Sequence, residues 1–174
     1  MSKIYVASSW RNHIHQVVIQ ELKKHNHEVY DFKNPGPGDK GFHWSDIDPM
    51  WKNWTPEEYR NHLRHPMAEA GYASDLTAMK WADTFVGVMP FGRSSSFEMG
   101  WAAGRTKRTI LLLEDGEPEL MVKMFDHICC TLDEVVGILE PSDRKGYAYS
   151  CKCNSQFGHA PSCMHDNWDD EDKR

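Results

Sequence analysis

No run of apolar residues in this chain approaches the roughly 20 needed to cross a bilayer as a helix, so no membrane span is expected. Positive charge is also short: 20 Lys and Arg stand against 26 Asp and Glu, a formal net charge of −6. That balance argues against duplex nucleic acid as the main partner, because phosphate backbones are held by a basic face. A secretory segment is not expected, since an apolar strand pattern begins at Lys3. Internal repeats are absent. Cysteine is sparse, five in 174 residues, and without a secretory signal such thiols point to a reducing, cytoplasmic compartment. What is present is a globular composition, 40% apolar and 26% charged, in a chain long enough for one α/β domain with a real core. A small molecule is the expected partner.

The chain alternates strand and helix signals. Lys3–Ala7 reads as a buried strand, followed by a helix capped by Ser8 or Ser9 with Ile14, Val17, Val18 and Leu22 at helical spacing. Glu28–Phe32 reads as a second strand, and this βαβ length makes the two strands parallel. Asn34–Lys40 is a Pro/Gly loop. Thr55-Pro56-Glu57-Glu58 is a helix start with a cap, a proline at the first position and a reciprocal glutamate. Pro66 opens a second helix, reaching Trp81. Thr84–Met89, Thr109–Leu113 and Ile128–Cys130 supply three more strands. A short helix is expected from Glu117-Pro118, and the capping box Thr131–Glu134 starts a last one. Cys129 and Cys130, adjacent in a strand, point to opposite faces and read as packing residues. Five parallel strands with helices between them define an α/β domain over residues 1–141.

Three stretches carry candidate chemistry. In Phe85–Gly104 a strand gives way to Pro90, Gly92, a serine run and a helix opening, the junction where open α/β sheets bind ligands. Glu98 there fits two descriptions: a carboxylate held ionised in a first helical turn, or the closing member of a Ser95–Glu98 capping box. Gly92, Arg93, Ser94, Ser95 and Ser96 suit an anion, and Arg11 behind Ser8 serves the same end; the alternative for both arginines is a solvated surface charge. Phe42, His43, Trp44, Trp51 and Trp54 crowd a polar segment, either as a loop stapled by its rings or as a lid in which Trp44 stacks on a flat ligand. Residues 142–174 change composition to a polar, acidic tail. Its Cys151, Cys153, His159, Cys163 and His165 supply enough ligands for zinc, although the C-x-C and C-x-H spacings are irregular; incidental thiols in a tail are the alternative.

Taken together, KIYVASSW, SDLTAMKWADTFVGV and FEMGWAAGRTKRTILLL resemble the nucleoside 2-deoxyribosyltransferase family, including its nucleoside 5′-monophosphate N-glycosidase relatives. The resemblance covers Lys3–Leu113, and more loosely as far as Pro141. It implies a flavodoxin-like (Rossmann-like) three-layer sandwich, a homo-oligomer and no cofactor. It also implies roles: Glu98, in Phe97-Glu98-Met99-Gly100, as the nucleophile on the anomeric carbon; Tyr5 orienting that carboxylate; and Asp75 hydrogen-bonding to or protonating the leaving base. Two carboxyls so used match retaining glycoside chemistry. The chain departs from the transferase pattern in having Gly92, Arg93 and serines where an acidic residue usually precedes the nucleophile. The neighbour-donated asparagine is replaced by something within Glu117–Glu119. The expected activity is cleavage of a (deoxy)nucleoside or nucleotide with transfer of the sugar to another base. Transfer to water from a 5′-monophosphate, or a nucleotide-sensing module without turnover, are the alternatives.

Overall fold

In the computed structural model, which describes residues 1–114 and 118–140, five short segments form one parallel sheet. They are β1 (Lys3–Ser8), β2 (Glu28–Tyr30), β3 (Thr84–Val88), β4 (Arg108–Leu112) and β5 (His127–Cys129), in the order β2-β1-β3-β4-β5. This is the flavodoxin-like order, with its switch point between β1 and β3. Side-chain alternation assigns the two faces. Ile4, Val6, Val86, Val88, Ile110 and Leu112 pack with Val18, Ile19 and Leu22 of α1 (His15–Lys24) and with Val135 and Leu139 of α5 (Leu132–Leu139). Tyr5, Ala7 and Phe85 pack on the other face with Ala78 and Met79 of α3 (Pro66–Trp81) and Met99 and Ala102 of α4 (Arg93–Gly104).

Several boundaries differ from the sequence expectation, each for a local reason. Helix α1 is not capped by Ser8 or Ser9; Ser8 ends β1, and the helix waits until His15. The delay comes from Asn12, whose amide donates to the Val88 and Met89 carbonyls at 3.3 and 2.8 Å while its oxygen accepts from Ile14 N–H. The loop is thereby tied to the end of β3. Strand β2 stops at Tyr30 rather than Phe32 because Asp31 is drawn into a buried network. It meets His15 Nε2 at 2.9 Å and accepts from Gln16 Nε2, Asn34 Nδ2 and Lys33 N–H. Against burial, which would raise it, these hydrogen bonds hold the Asp31 carboxyl below its usual range.

The aromatic segment is a structured insert. It forms two 3-10 turns, Trp44–Asp46 and Trp51–Asn53, and then α2 (Pro56–His62). Thr55 and Glu58 close a complete capping box around Pro56, as the sequence implies. Trp44 meets Phe42, Trp54 and Tyr59 edge-on, Trp54 stacks on His62 at 4.0 Å, and its indole N–H donates to Asp48 Oδ2 at 2.6 Å. The last helix is also capped, but not by a full box: Thr131 accepts from Glu134 N–H, while the Glu134 carboxylate takes Cys130 N–H instead. A 3-10 turn at Leu120–Met124 stands where a short helix was expected. Cys129 is buried and Cys130 exposed, as alternation requires. The tail of residues 142–174, with Cys151, Cys153, His159, Cys163 and His165, lies outside the described residues, as does Glu117.

Candidate active site

Parallel register puts three rings in a row on one face of the sheet. Tyr5 is paired with Tyr30 across β1 and β2 and with Phe85 across β1 and β3. Paired residues of parallel strands share a face, and the rings stack at 5.4 and 5.1 Å. The Tyr5 hydroxyl is fully buried and completes no hydrogen bond of good geometry. The Glu98 carboxylate is the polar group beside it, near enough to interact though not well aligned. Catalytic hydrogen bonds are often loose until substrate arrives.

The carboxylates come from two helices. On α4, Ser95, Met99 and Ala102 form the buried stripe, and Glu98, one turn from Ser95 and from Ala102, flanks it. On α3, Asp75 flanks Ala78 and Met79 in the same way. Burial and then the charge of Asp75 push the Glu98 carboxyl up to about 7, with Tyr5 opposing. Asp75 is also raised, by burial and by the charge of Asp39, although Tyr30 holds it down by donating to Oδ1 at 2.8 Å. Burial and these same carboxylates raise the Tyr5 phenol far above its ordinary range. Tyr5, Glu98 and Asp75 are therefore brought together.

The capping-box description of Glu98 is overturned. Helix α4 begins at Arg93 with Gly92 as its N-cap, so Glu98 lies in the second turn. Ser95 and Ser96 do not receive a reciprocal glutamate bond; their hydroxyls donate to Gly92 O at 2.8 and 3.3 Å. Removed from the first turn, Glu98 is not held ionised by the helix end either. Its environment works the other way, towards protonation.

Beside Asp75 opens a cavity of about 240 Å³. Tyr30, Phe32, Phe42 and Met67 form its apolar walls, and Asp39, Asp46, Ser74 and Asp75 its polar ones. The volume falls just short of the roughly 300–1,000 Å³ of pockets for drug-sized ligands, and suits a smaller ring system. Gly41 closes one side at φ +73°, where an added Cβ would collide with the Phe32 carbonyl. Gly71 of α3 lets Phe42 approach: a Cβ there would sit 2.8 Å from Phe42 Cβ.

Phe42, not Trp44, faces this cavity; Trp44 belongs to the insert's own ring cluster. Ser8, Arg11 and Gly92 to Ser96 are not among the lining residues. They lie at the switch point, Ser8 at the end of β1, Arg11 in the loop after it, and Gly92 to Ser96 as the N-cap and first turn of α4, where Gly92 lies against Ser9. The Ser8 hydroxyl is buried and donates to Val88 O at 3.2 Å, Ser95 is buried, and Arg11, Arg93, Ser94 and Ser96 are exposed. Sequence reasoning missed Tyr30 and Asp39, and within the aromatic segment it singled out Trp44 where the cavity wall is Phe42. Tyr30 was accessible in principle, because aligning the two strand patterns in parallel places it opposite Tyr5. Asp39 and Phe42 depend on how the loop folds back, which no periodicity encodes.

The fold and site define a flavodoxin-like α/β domain in which Asp75 lines a cavity, while Glu98 and Tyr5 lie outside that lining but near enough to Asp75 to interact with it. No protein-family model matches the chain, and no curated protein matches it in sequence. Among solved structures it is similar to the 2-deoxyribosyltransferase of the psychrotolerant bacterium Bacillus psychrosaccharolyticus, with 18% identity, 77% of this chain and 90% of that chain covered, and a TM-score of 0.51. It also matches the CMP N-glycosidase of Clostridium botulinum at 17% identity, with 78% and 96% covered and a TM-score of 0.41. At these identities the likeness is one of fold.

Proposed function

We propose that this chain is a member of the nucleoside 2-deoxyribosyltransferase family that cleaves the N-glycosidic bond of a (deoxy)nucleoside or nucleotide. The observation that carries the reading is the proximity of two carboxylates, Glu98 and the cavity-lining Asp75, close enough for the charge of one to raise the other. Glu98 attacks the anomeric carbon as the bond to the base breaks, giving a glycosyl ester on its carboxylate. Asp75 lines the cavity and interacts with Glu98, so in this reading it faces the leaving base and hydrogen-bonds to it, or passes it a proton. Tyr5 steadies the attacking carboxylate. A second base then takes the sugar from Glu98, and the carboxylate is regenerated with retention of configuration.

A second reading has water as the acceptor and a 5′-monophosphate as the substrate. It is favoured by one observation, the apposition of Ser9 and Gly92, with exposed Arg11 in the same loop as Ser9 and exposed Arg93 next to Gly92 at the start of α4. Base release and base exchange, followed by chromatography with deoxynucleosides and their 5′-monophosphates, separate the two. Exchange into an added base supports the transferase; release only from the phosphate supports the hydrolase. Neither product would leave a nucleotide-binding module, and full activity in Glu98→Ala would remove the proposed mechanism.

A further inference from the structure

We propose that the cavity selects nucleobases carrying an exocyclic amino group, and that Asp39 is the residue that reads it. The inference rests on the reading above for the identity of the ligand as a base, and its support is the hydrogen-bond inventory of the cavity. Its walls are flat and apolar, suited to the faces of a ring. Its polar side chains are Asp39, Asp46, Asp75, Ser74 and Tyr30. The single Tyr30 proton is already donated to Asp75 Oδ1 at 2.8 Å. Ser74 Oγ, 3.1 Å from the same Tyr30 oxygen, must then be the donor of that second bond. Both hydroxyl protons are spent, and neither amide nor cationic side chains line the cavity. Apart from the proton proposed for Asp75 at the reacting end, what the side chains offer an incoming ligand is acceptors.

A base edge that presents two carbonyl oxygens around one N–H, as in uracil or thymine, meets these carboxylates oxygen to oxygen. An edge with an amino group, as in cytosine, adenine or guanine, brings the matching donors. Asp39 is the carboxylate best held for this. Its Oδ1 accepts from Gly41 N–H at 2.9 Å, its own N–H donates to Gly36 O at 3.0 Å, and its Oδ2 has no hydrogen-bond partner among the described residues. Its charge already reaches Asp75. Asp75 is shared between the cavity and Glu98, which places the reacting end there and leaves the rim at Asp39 for the far edge of the base.

The test compares two isosteric nucleosides, 2′-deoxycytidine and 2′-deoxyuridine, by calorimetric binding and by kcat/KM on the full chain and on Asp39→Asn. The variant keeps an acceptor for Gly41 N–H and lies on an exposed loop. Deoxycytidine is expected to bind at least about tenfold tighter than deoxyuridine, the range of a hydrogen bond to a charged group, and Asp39→Asn is expected to collapse that ratio towards one. Equal binding, a uracil preference, a ratio unchanged in Asp39→Asn, or binding of neither nucleoside overturns the inference. Selective binding without bond cleavage would remove the glycosidase reading and leave the selectivity standing; cleavage without selectivity would do the reverse.

Discussion

Glu98 carries a conflict between stability and chemistry. The folded protein holds its proton more tightly than the unfolded chain does, because burial and Asp75 raise the carboxyl from its ordinary 4.5 to about 7. Stability is therefore lost as pH rises between those values, and the loss is complete above the upper one. Glu98→Gln cannot titrate, so its stability advantage over the native chain should grow by about 2 to 3 kcal/mol between pH 5 and pH 8 in urea unfolding. A constant difference would mean that Glu98 is not the perturbed group. The proposed nucleophilic role needs the opposite state, the ionised one, so on that proposal the rate should climb through an acid limb near pH 7. Asp75→Asn removes a charge that raises Glu98 and should move that limb to lower pH. Tyr5→Phe removes an opposing contact and should move it higher. Because the Tyr5 hydroxyl is buried without a completed hydrogen bond, that variant should cost less than about 1 kcal/mol of stability, or gain a little. Pairing the pH–rate profile with the unfolding curve for each variant separates these effects from misfolding. The family resemblance singled out all three residues, and the fold brings them near one another. Their electrostatics were not legible in the sequence: reading Glu98 as a helix-end carboxylate predicted an ionised group, and only the neighbours that fold around it reverse the sign.

At the scale of elements, what was legible follows the range of the interactions that decide it. Helix α2 and its Thr55–Glu58 box are settled within four residues, and they match. Helix α3 likewise opens at Pro66, where proline is pre-set for a first turn. Elements whose ends are fixed by distant partners shifted: α1 by the Asn12 tie to β3, β2 by the Asp31 network, α4 by Gly92 taking the cap ahead of the serines. The insert shows both limits. Its rings signalled that it was anchored, yet which ring faces the cavity depends on α3, where Gly71 admits Phe42. Gly71→Ala tests that contact. Helix propensity alone should favour alanine by about 1 kcal/mol. The added methyl, 2.8 Å from Phe42 Cβ, should outweigh this and give a net loss, since overpacking costs roughly 1–3 kcal/mol. Thermal unfolding reads the loss, and a raised KM reads the displaced cavity wall. A stabilised Gly71→Ala with unchanged KM would show that Phe42 yields freely.

The whole molecule presents a negative field to a substrate that carries negative charge if it is phosphorylated. Net charge is −6, and the cavity is lined by carboxylates. The α/β class and the parallel sheet were readable from strand–helix alternation, because a parallel pair needs a crossover and apolar runs need covering on both faces. The location of the cavity did not follow from that topology: it opens beside the end of β2 and α3, not at the switch point between β1 and β3. The charge of the substrate did not follow from it. Arg11, in the loop after β1, and Arg93, the first residue of α4, are exposed and form no ion pair with a carboxylate among the described residues. Cations left unpaired at the switch point of an acidic protein are available to a phosphate. If they take one, Arg11→Gln with Arg93→Gln should raise KM for a nucleoside 5′-monophosphate by roughly two- to tenfold and leave KM for the free nucleoside unchanged. Because both guanidinium groups are exposed, added salt should shrink that gap, with most of it gone near 0.5 M, where the screening length is only ~4 Å. A phosphate advantage that survives both changes would place the anion on the backbone N–H groups at the start of α4 instead. No advantage in the native chain would mean that the arginines are solvated surface charges and that the substrate enters as the free nucleoside.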